Sequence, residues 1–362
     1  MTVLILKPED HRGLLSFAEG VALMRTGFDD FAKSHVRLSN PRTRTNTPEG
    51  FRMTVHQGVT PSMHGACTSA RGERVQILPD GKQKYIGRGR PVFTLFDSDT
   101  AELLMMMIGE PRAKSYEDYY CIAGYHTACA AMVGTNLMAR PDARRVGILG
   151  SGAQAVMHLA ALAETRTISE ALVYSPTQAN REKFAYDMQK KLGFPIRAVA
   201  NTDEVVEFSE ILLVCTNSNV PVMDGAKLQP GTHVTSIVHG NKEMMQAGVI
   251  KKMRQEIDDE TLRHADLIVT ANMAQEELDQ PEILYGAIQR GVISKEKVNE
   301  ISSIITGKIS VEEVHRKGGI TFFKNPGAWG IGAGALFRGF YDRARKAGVG
   351  LSLDIDGQET LY

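Results

Sequence analysis

The chain predicts an α/β fold in which a parallel, helix-covered sheet is joined to a separate α+β domain. Three observations carry this. "RVGILG", "ALVYS", "ILLVCT", "HVTSIV" and "LIVTA" are short β-branched-rich runs separated by helix-like segments, the alternation that builds a parallel sheet buried on both faces. The run Val146–Leu149 ends in Gly150-Ser151-Gly152-Ala153-Gln154-Ala155 and then turns helical. Before Arg140 the texture differs: short apolar runs are broken by turn residues.

The elements follow in order. "VFTLFDSDTAELLMMMIG" reads as two strands around an Asp-Ser-Asp-Thr turn, a hairpin signal. "VHQGVTPSMHGACTSARGERVQILPDGKQKY" suggests further short strands, with Pro79-Asp80-Gly81 as a turn. "YYCIAGYHTACAAMVGTNLMA" has helical spacing and stops before Arg140-Pro141-Asp142. In the second half, "HLAALAETR", "ANREKFAYDMQKKLG" and "KEKVNEISSIITG" supply helices between the strands. "TFFKNPGAWGIGAGALFRGFYDRARKAG" reads as a Gly-rich loop and then an amphipathic helix. The expected domains are residues 1–138, 139–320, and a segment 321–362 returning to the first.

Bulk properties exclude several function classes. A chain of 362 residues can bury a large core without disulfides or metal. Lys plus Arg equals Asp plus Glu at 42 each, which lacks the basic excess of a phosphate-tracking nucleic-acid binder. Cys67, Cys121, Cys129 and Cys215 show no CxxC or His-paired spacing, which fits a reducing, cytoplasmic setting and no metal. Val3–Leu6 is too short for a signal-peptide core, and no window approaches the ~18 apolar residues of a membrane span.

The glycine turn is the G-x-G-x-x-A form of the Rossmann dinucleotide fingerprint, here after a strand and before a helix. Gly150 allows the tight turn, Gly152 lets backbone approach a pyrophosphate, and Ala155 permits close helix–strand packing. The helix beginning near Ala153 turns its free N–H groups, including those of Ser151, Ala153 and Gln154 around the turn, toward the phosphates. About twenty residues on, an Asp or Glu would hold the ribose hydroxyls of NAD. The sequence there is Tyr174-Ser175-Pro176-Thr177, with Arg181 one turn into the next helix. Two hydroxyls and a guanidinium suit a 2′-phosphate, so NADP is favoured over NAD; Arg181 as a solvated helix residue is the alternative.

"NPRTRTNTPEG", "HTACAA…LMARPDARRVGILGSGAQA", "VYSPTQANREKFA", "VCTNSNVPVMDGAKLQPGTHVTSI" and "TFFKNPGAWGIG" together resemble the ornithine cyclodeaminase/μ-crystallin family, over most of the chain. The resemblance implies a homodimer, a Rossmann domain, and a substrate and dimerisation domain built from both chain ends. It also implies NAD(P)-dependent chemistry at a C–N carbon: cyclodeaminase, amino-acid dehydrogenase or imine reductase. It places Thr127, Thr216, Asn217, Ser218, Val238 and Asn325 against the dinucleotide.

The departures from the family are informative. Its three cationic substrate contacts, an arginine, a lysine and a second arginine, correspond to Arg42 (with Arg44 beside it), Cys67 or Thr68, and His126. The loop that usually carries a catalytic aspartate reads His239-Gly240-Asn241 and continues to Glu256-Ile257-Asp258. The family's Lys-Ser loop reads Phe322-Phe323-Lys324-Asn325, and the Asp that follows is replaced around Gly332.

Reducing an imine needs a group that moves a proton at nitrogen. His239 is the acid/base candidate, since imidazole titrates near neutrality and the residue follows a sheet strand at its carboxyl end. Lys324 and His126 are the other catalytic candidates. Arg42, Arg44, Cys67, Asn241 and Trp329 are candidate substrate contacts, with Trp329 walling a pocket or anchoring its loop. Loss of a lysine and an arginine points to a substrate other than the usual free amino acid; alternatively Arg44, Arg71 or Lys324 supplies the charge. "EIDDE" (Glu256–Glu260) is expected as a helix start or solvated face. The leading expectation is an imine reductase or amine/amino-acid dehydrogenase. The rivals are a cyclodeaminase releasing ammonia, and a nucleotide-bound ligand-binding protein without turnover.

Overall fold

The computed structural model describes residues 2–33, 42–77, 83–238, 242–246, 251–325 and 329–355. The chain divides into two compact units: Met1–His126 with Trp329–Tyr362, and Thr127–Ala328. Both boundaries differ from those expected at 138/139 and 320/321. The helix Gly124–Met138 goes with the second unit from Thr127 onward, because it packs on that unit's sheet. A Cβ at Gly134 would lie 2.2 Å from the Phe323 ring, so the small residue is what permits the contact.

The first unit is a mixed sheet. Its strands are β1 (Thr2–Leu6), β2 (Thr43–Asn46), β3 (Phe51–Thr60), β4 (Gly65–Ile77), β5 (Gln83–Arg88), β6 (Val92–Asp97) and β7 (Leu103–Ile108), with the last strand, Leu351–Asp354, against β1. From that strand the order runs β1-β7-β6-β4-β3-β2, and β5 pairs with β4. The hairpin β6–β7 has the expected turn. The run expected as short strands instead forms the long pair β3–β4, and its Pro79-Asp80-Gly81 turn lies outside the described residues.

Residues directly opposite in neighbouring strands share a face. Arg44 is opposite Thr54, Arg52 opposite Glu73, and His56 opposite Ser69. Cys67 is opposite both Gly58 and Leu95, and Ser69 is opposite Phe93. One face therefore carries Arg44, Arg52, His56, Arg71 and Glu73 toward β2, and an apolar set toward β6.

The helices Phe17–Ala32 and Trp329–Ala347 pack on this unit. The Gly-rich stretch expected as a loop is the opening of the second helix, which starts at Trp329. Its glycines are there for proximity. A Cβ at Gly58 would lie 1.5 Å from the Gly330 carbonyl oxygen, and one at Gly334 2.3 Å from that of Gly65. Backbone packs on backbone, and the contact energy outweighs the poor helix propensity of glycine.

The second unit is a parallel sheet of β8 (Arg145–Leu149), β9 (Glu170–Tyr174), β10 (Ile196–Ala198), β11 (Ile211–Val214), β12 (His233–Ser236), β13 (Ala265–Thr270), β14 (Val298–Glu300) and β15 (Ile320–Lys324). Their order is β10-β9-β8-β11-β12-β15-β13-β14. β15 inserts between β12 and β13, which is why residues after 320 belong to this unit. Val146, Ile148, Leu212, Val214, Val234, Ile268 and Phe322 are fully buried, as double helix cover requires.

"KEKVNEISSIITG" is not the helix expected. It forms a single turn at Lys295–Lys297, the edge strand β14 and a short helix Ser302–Ile305. The open edge of β13 offers parallel pairing to Val298–Glu300, and this tertiary partner overrides a helix-favouring composition.

Candidate functional site

In the second unit, sheet order reverses at β8, whose neighbours are β9 and β11. This is the switch point where α/β proteins bind ligands at the carboxyl ends of the strands. Gly150 takes φ +110° and a Cβ there would lie 2.4 Å from the Cys215 carbonyl oxygen, so both conformation and space demand glycine. Gly152 is the N-cap of the helix Ala153–Thr165, with no side chain bonded to the helix start. A Cβ at Gly152 would meet no protein atom within 4 Å. The free N–H groups of that start therefore open onto space that a phosphate group fits. Ala155 is buried behind the turn, while Ser151 and Gln154 are half-buried and Ala153 is exposed.

Ser151 Oγ donates to Ser175 Oγ at 2.8 Å, linking the turn to the end of β9. Thr177 stands at the N-cap position of the next helix without a side-chain cap bond and is exposed. Arg181, half-buried, folds back: it donates to the Ser175 carbonyl at 3.0 Å, and its guanidinium carbon lies 5.8 Å from the centre of the Tyr174 ring. The guanidinium thus lies at the strand end where a ribose-binding carboxylate would stand in an NAD-type site.

Beyond the switch point, the exits of β11 and β12 are tied together by a residue that the sequence pattern did not reveal. Glu256, expected in a solvated acidic run, is fully buried. Its Oε2 accepts from Thr216 N (2.9 Å) and Oγ1 (2.8 Å). Its Oε1 accepts from Ser236 Oγ (2.8 Å), Ile237 N (3.1 Å) and Val238 N (3.0 Å). Burial pushes its pKa up, against the opposing pull of Lys324 and these donors. Asp258 does start a helix, Asp259–His264, as expected of the run. Only the depth of the strand exits distinguishes Glu256 from its acidic neighbours, and no sequence signal carries that.

Lys324, expected in a loop, is the last residue of β15. It is fully buried, and its ammonium donates to the Val238 carbonyl. Asn325, also buried, donates from Nδ2 to the Thr127 carbonyl at 3.3 Å. Ser218 Oγ donates to the Val220 carbonyl at 2.6 Å, and Asn217 is exposed. His239 and Asn241 lie outside the described residues.

The first unit supplies a cationic cluster. Arg42, just before β2, is buried, and Arg44 is half-buried. His56 lies where the charges of Arg42, Arg44 and Arg71 and the imidazole of His126 all reach it, and burial with those charges pushes its pKa well down. His126 is buried with its ring 6.2 Å from that of Phe93; burial, then Arg71, lowers its pKa to about 3. This favours the neutral imidazole at physiological pH, with one ring N–H to donate in a hydrogen bond and one nitrogen to accept.

Arg71 NH1 bonds Glu110 at 2.8 Å, and its Nε lies 3.5 Å from Glu73. Arg52 bonds the same Glu73 through Nε at 2.9 Å. Arg71, four residues from Cys67 on the same strand face, is thus engaged by two carboxylates. Cys67 stands on that face but is 2 % exposed, with its thiol pushed well up by burial. The buried thiol is neutral and supplies no charge there. Trp329 opens the helix Trp329–Ala347. Among the described residues, no group of three or more His, Cys, Asp or Glu could hold a metal, and no helix is long and apolar enough to cross a membrane.

A glycine turn at the switch point of a parallel sheet, followed by an open helix start, defines the class of dinucleotide-binding α/β proteins. Within that class, the chain belongs to the ornithine cyclodeaminase/mu-crystallin family, whose model matches residues 21–346. It is 24% identical over 349 residues to a Delta(1)-pyrroline-2-carboxylate reductase of Bacillus cereus, covering 96% of this chain and 98% of that protein. It is 26% identical over 230 residues to ketimine reductase mu-crystallin of Mus musculus, covering 64% of this chain and 66% of that one. Among solved structures, the Thermococcus litoralis Delta(1)-pyrroline-2-carboxylate reductase in complex with NADH and L-proline matches with a TM-score of 0.77 and 25% identity. That match covers 97% of this chain and 100% of the other.

Proposed function

We propose that this chain is an NAD(P)-dependent oxidoreductase acting on a C=N or CH–NH bond, with an anionic imine as substrate. The observation that carries the reading is the open space at Gly152 before an uncapped helix start, in a family whose members named above are imine and ketimine reductases. The groups present fit a dinucleotide: N–H donors at Ala153 and Gln154 for the pyrophosphate, and Thr216 and Val238 at the far edge.

When bound, the nicotinamide exchanges hydride with the C–N carbon of the substrate. The chain's residues do the rest. Arg42 and Arg44 hold the substrate carboxylate, while Arg71 is engaged by Glu110 and Glu73. His56 and His126, both kept neutral, meet an uncharged part of the substrate. That difference from a three-cation grip favours a substrate other than a free α-amino acid. His239 is the residue proposed to move the proton at nitrogen.

Ser175 and Arg181 favour NADP over NAD, because no carboxylate stands at the end of β9 to repel a 2′-phosphate. The family's dimeric assembly is proposed here through the outer face of the first sheet, where Phe51, Met53, Val59 and Ile86 are 39, 38, 36 and 55% exposed. A monomer by light scattering at micromolar concentration would remove that part.

The test is a panel of cyclic and open-chain imino acids mixed with the protein and NADPH. Loss of reduced-nicotinamide absorbance together with amine formation is expected. Ammonia release without net cofactor change would instead make the chain a cyclodeaminase. Tight NADPH binding with no turnover would make it a ligand-binding protein.

A further inference from the structure

The second unit buries a charged pair that hydride transfer does not by itself require. Val238 is gripped from both sides: its N–H donates to Glu256 Oε1 at 3.0 Å, and its carbonyl accepts from the Lys324 ammonium. Both side chains are fully buried. Glu256 also accepts from Thr216, Ser236 and Ile237, so one carboxylate fastens the exits of β11 and β12. Lys324, at the exit of β15, adds the third strand.

Apolar side chains would fill this space with no desolvation cost. A buried carboxylate and ammonium instead fix a local field, because the surroundings there screen poorly. The position of that field follows from the topology. β9 lies on one side of the switch point and takes the adenosine half of a bound dinucleotide. The other half extends over β11 and β12, the strands this pair ties together.

We propose that Glu256 and Lys324 are positioning residues that set the charge balance at the nicotinamide end of the site and so the relative affinity for its two redox forms. The oxidised ring carries a positive charge and the reduced ring does not. Glu256 favours the oxidised form, Lys324 the reduced one, and together they hold both within reach of one site. This rests on the nicotinamide reading above but not on the choice of substrate.

The test is a binding measurement on the full chain. Dissociation constants for NADPH are read by fluorescence and those for NADP⁺ by competition against it. Glu256→Gln should weaken NADP⁺ relative to NADPH by about fivefold, the order expected of one charge several Å away in a partly screening medium. Lys324→Met should shift the ratio by a similar factor the other way, while Lys324→Arg keeps it.

Opposite shifts are what a purely structural strut cannot produce. An unchanged ratio, shifts of the same sign, or parallel weakening of both forms would overturn the proposal. Should Glu256→Gln fail to fold, the Lys324→Met and Lys324→Arg pair decides alone. Wild-type protein that binds neither NADP(H) nor NAD(H) would defeat the cofactor reading itself. A wild type that binds while the variants show no opposite shift defeats only the pair's role.

Discussion

Arg181 and Glu256 are both charged residues near strand ends, yet only one could be read from the sequence. Arg181 follows a recognisable strand and turn, so its distance from Ser175 is fixed locally, and its side chain folds back onto that strand end. Glu256 sits in a run of acids whose local pattern says surface. Its burial comes from strand exits contributed by residues forty and twenty positions earlier in the chain. Lys324 was legible as a candidate but not as the end of a strand. Arg181→Ala should raise the NADPH dissociation constant about tenfold, as loss of one charge-assisted phosphate contact does, and leave that for NADH unchanged. Equal weakening of both, measured by fluorescence titration, would assign Arg181 to the fold instead.

At the scale of elements, the parallel strands were legible because buried β-branched runs are their own signal. Two elements were not. β14 depends on an open edge of β13 that only the folded sheet provides. The helix Trp329–Ala347 begins with a glycine-rich stretch that reads as loop, and it is helical because glycine lets it lie on the backbone of β3 and β4. Gly58→Ala should therefore cost more than about 2 kcal/mol, as overpacking against an immovable backbone does. Urea unfolding of the variant checks this, and a loss within about 0.5 kcal/mol, ordinary for a harmless substitution, would mean the helix yields.

Across the whole molecule, buried histidines couple stability to pH, and burial lowers the pKa values of His11 and His56 as well. His126, His158 and His233 have their pKa values lowered, chiefly by burial, to about 3, about 4 and about 3, from an ordinary 6.5. His233 is held between Thr321 Oγ1 at 2.8 Å and Thr235 Oγ1 at 2.9 Å, and His158 Nδ1 contacts the Gln154 carbonyl oxygen at 2.7 Å. The unfolded chain takes up protons at these sites that the folded chain refuses. Their stabilising effect is complete above the ordinary value and is lost as pH falls below it, by up to about 1.4 kcal/mol per pH unit for each histidine. The urea midpoint should drop clearly between about pH 7.5 and about pH 5.5, and His126→Asn should flatten part of that slope. A midpoint constant over this range would show that the imidazoles are not neutral in the fold.

The family and the glycine turn at the switch point support hydride exchange at a carbon–nitrogen bond. Isotope transfer tests this most directly. The protein is given NADPH deuterated on the nicotinamide together with the imino acid that it consumes fastest, and the amine product is analysed by mass spectrometry. The account predicts a single deuterium on the carbon that was doubly bonded to nitrogen. An unlabelled amine, or ammonia released while the deuterium stays on the cofactor, would contradict it.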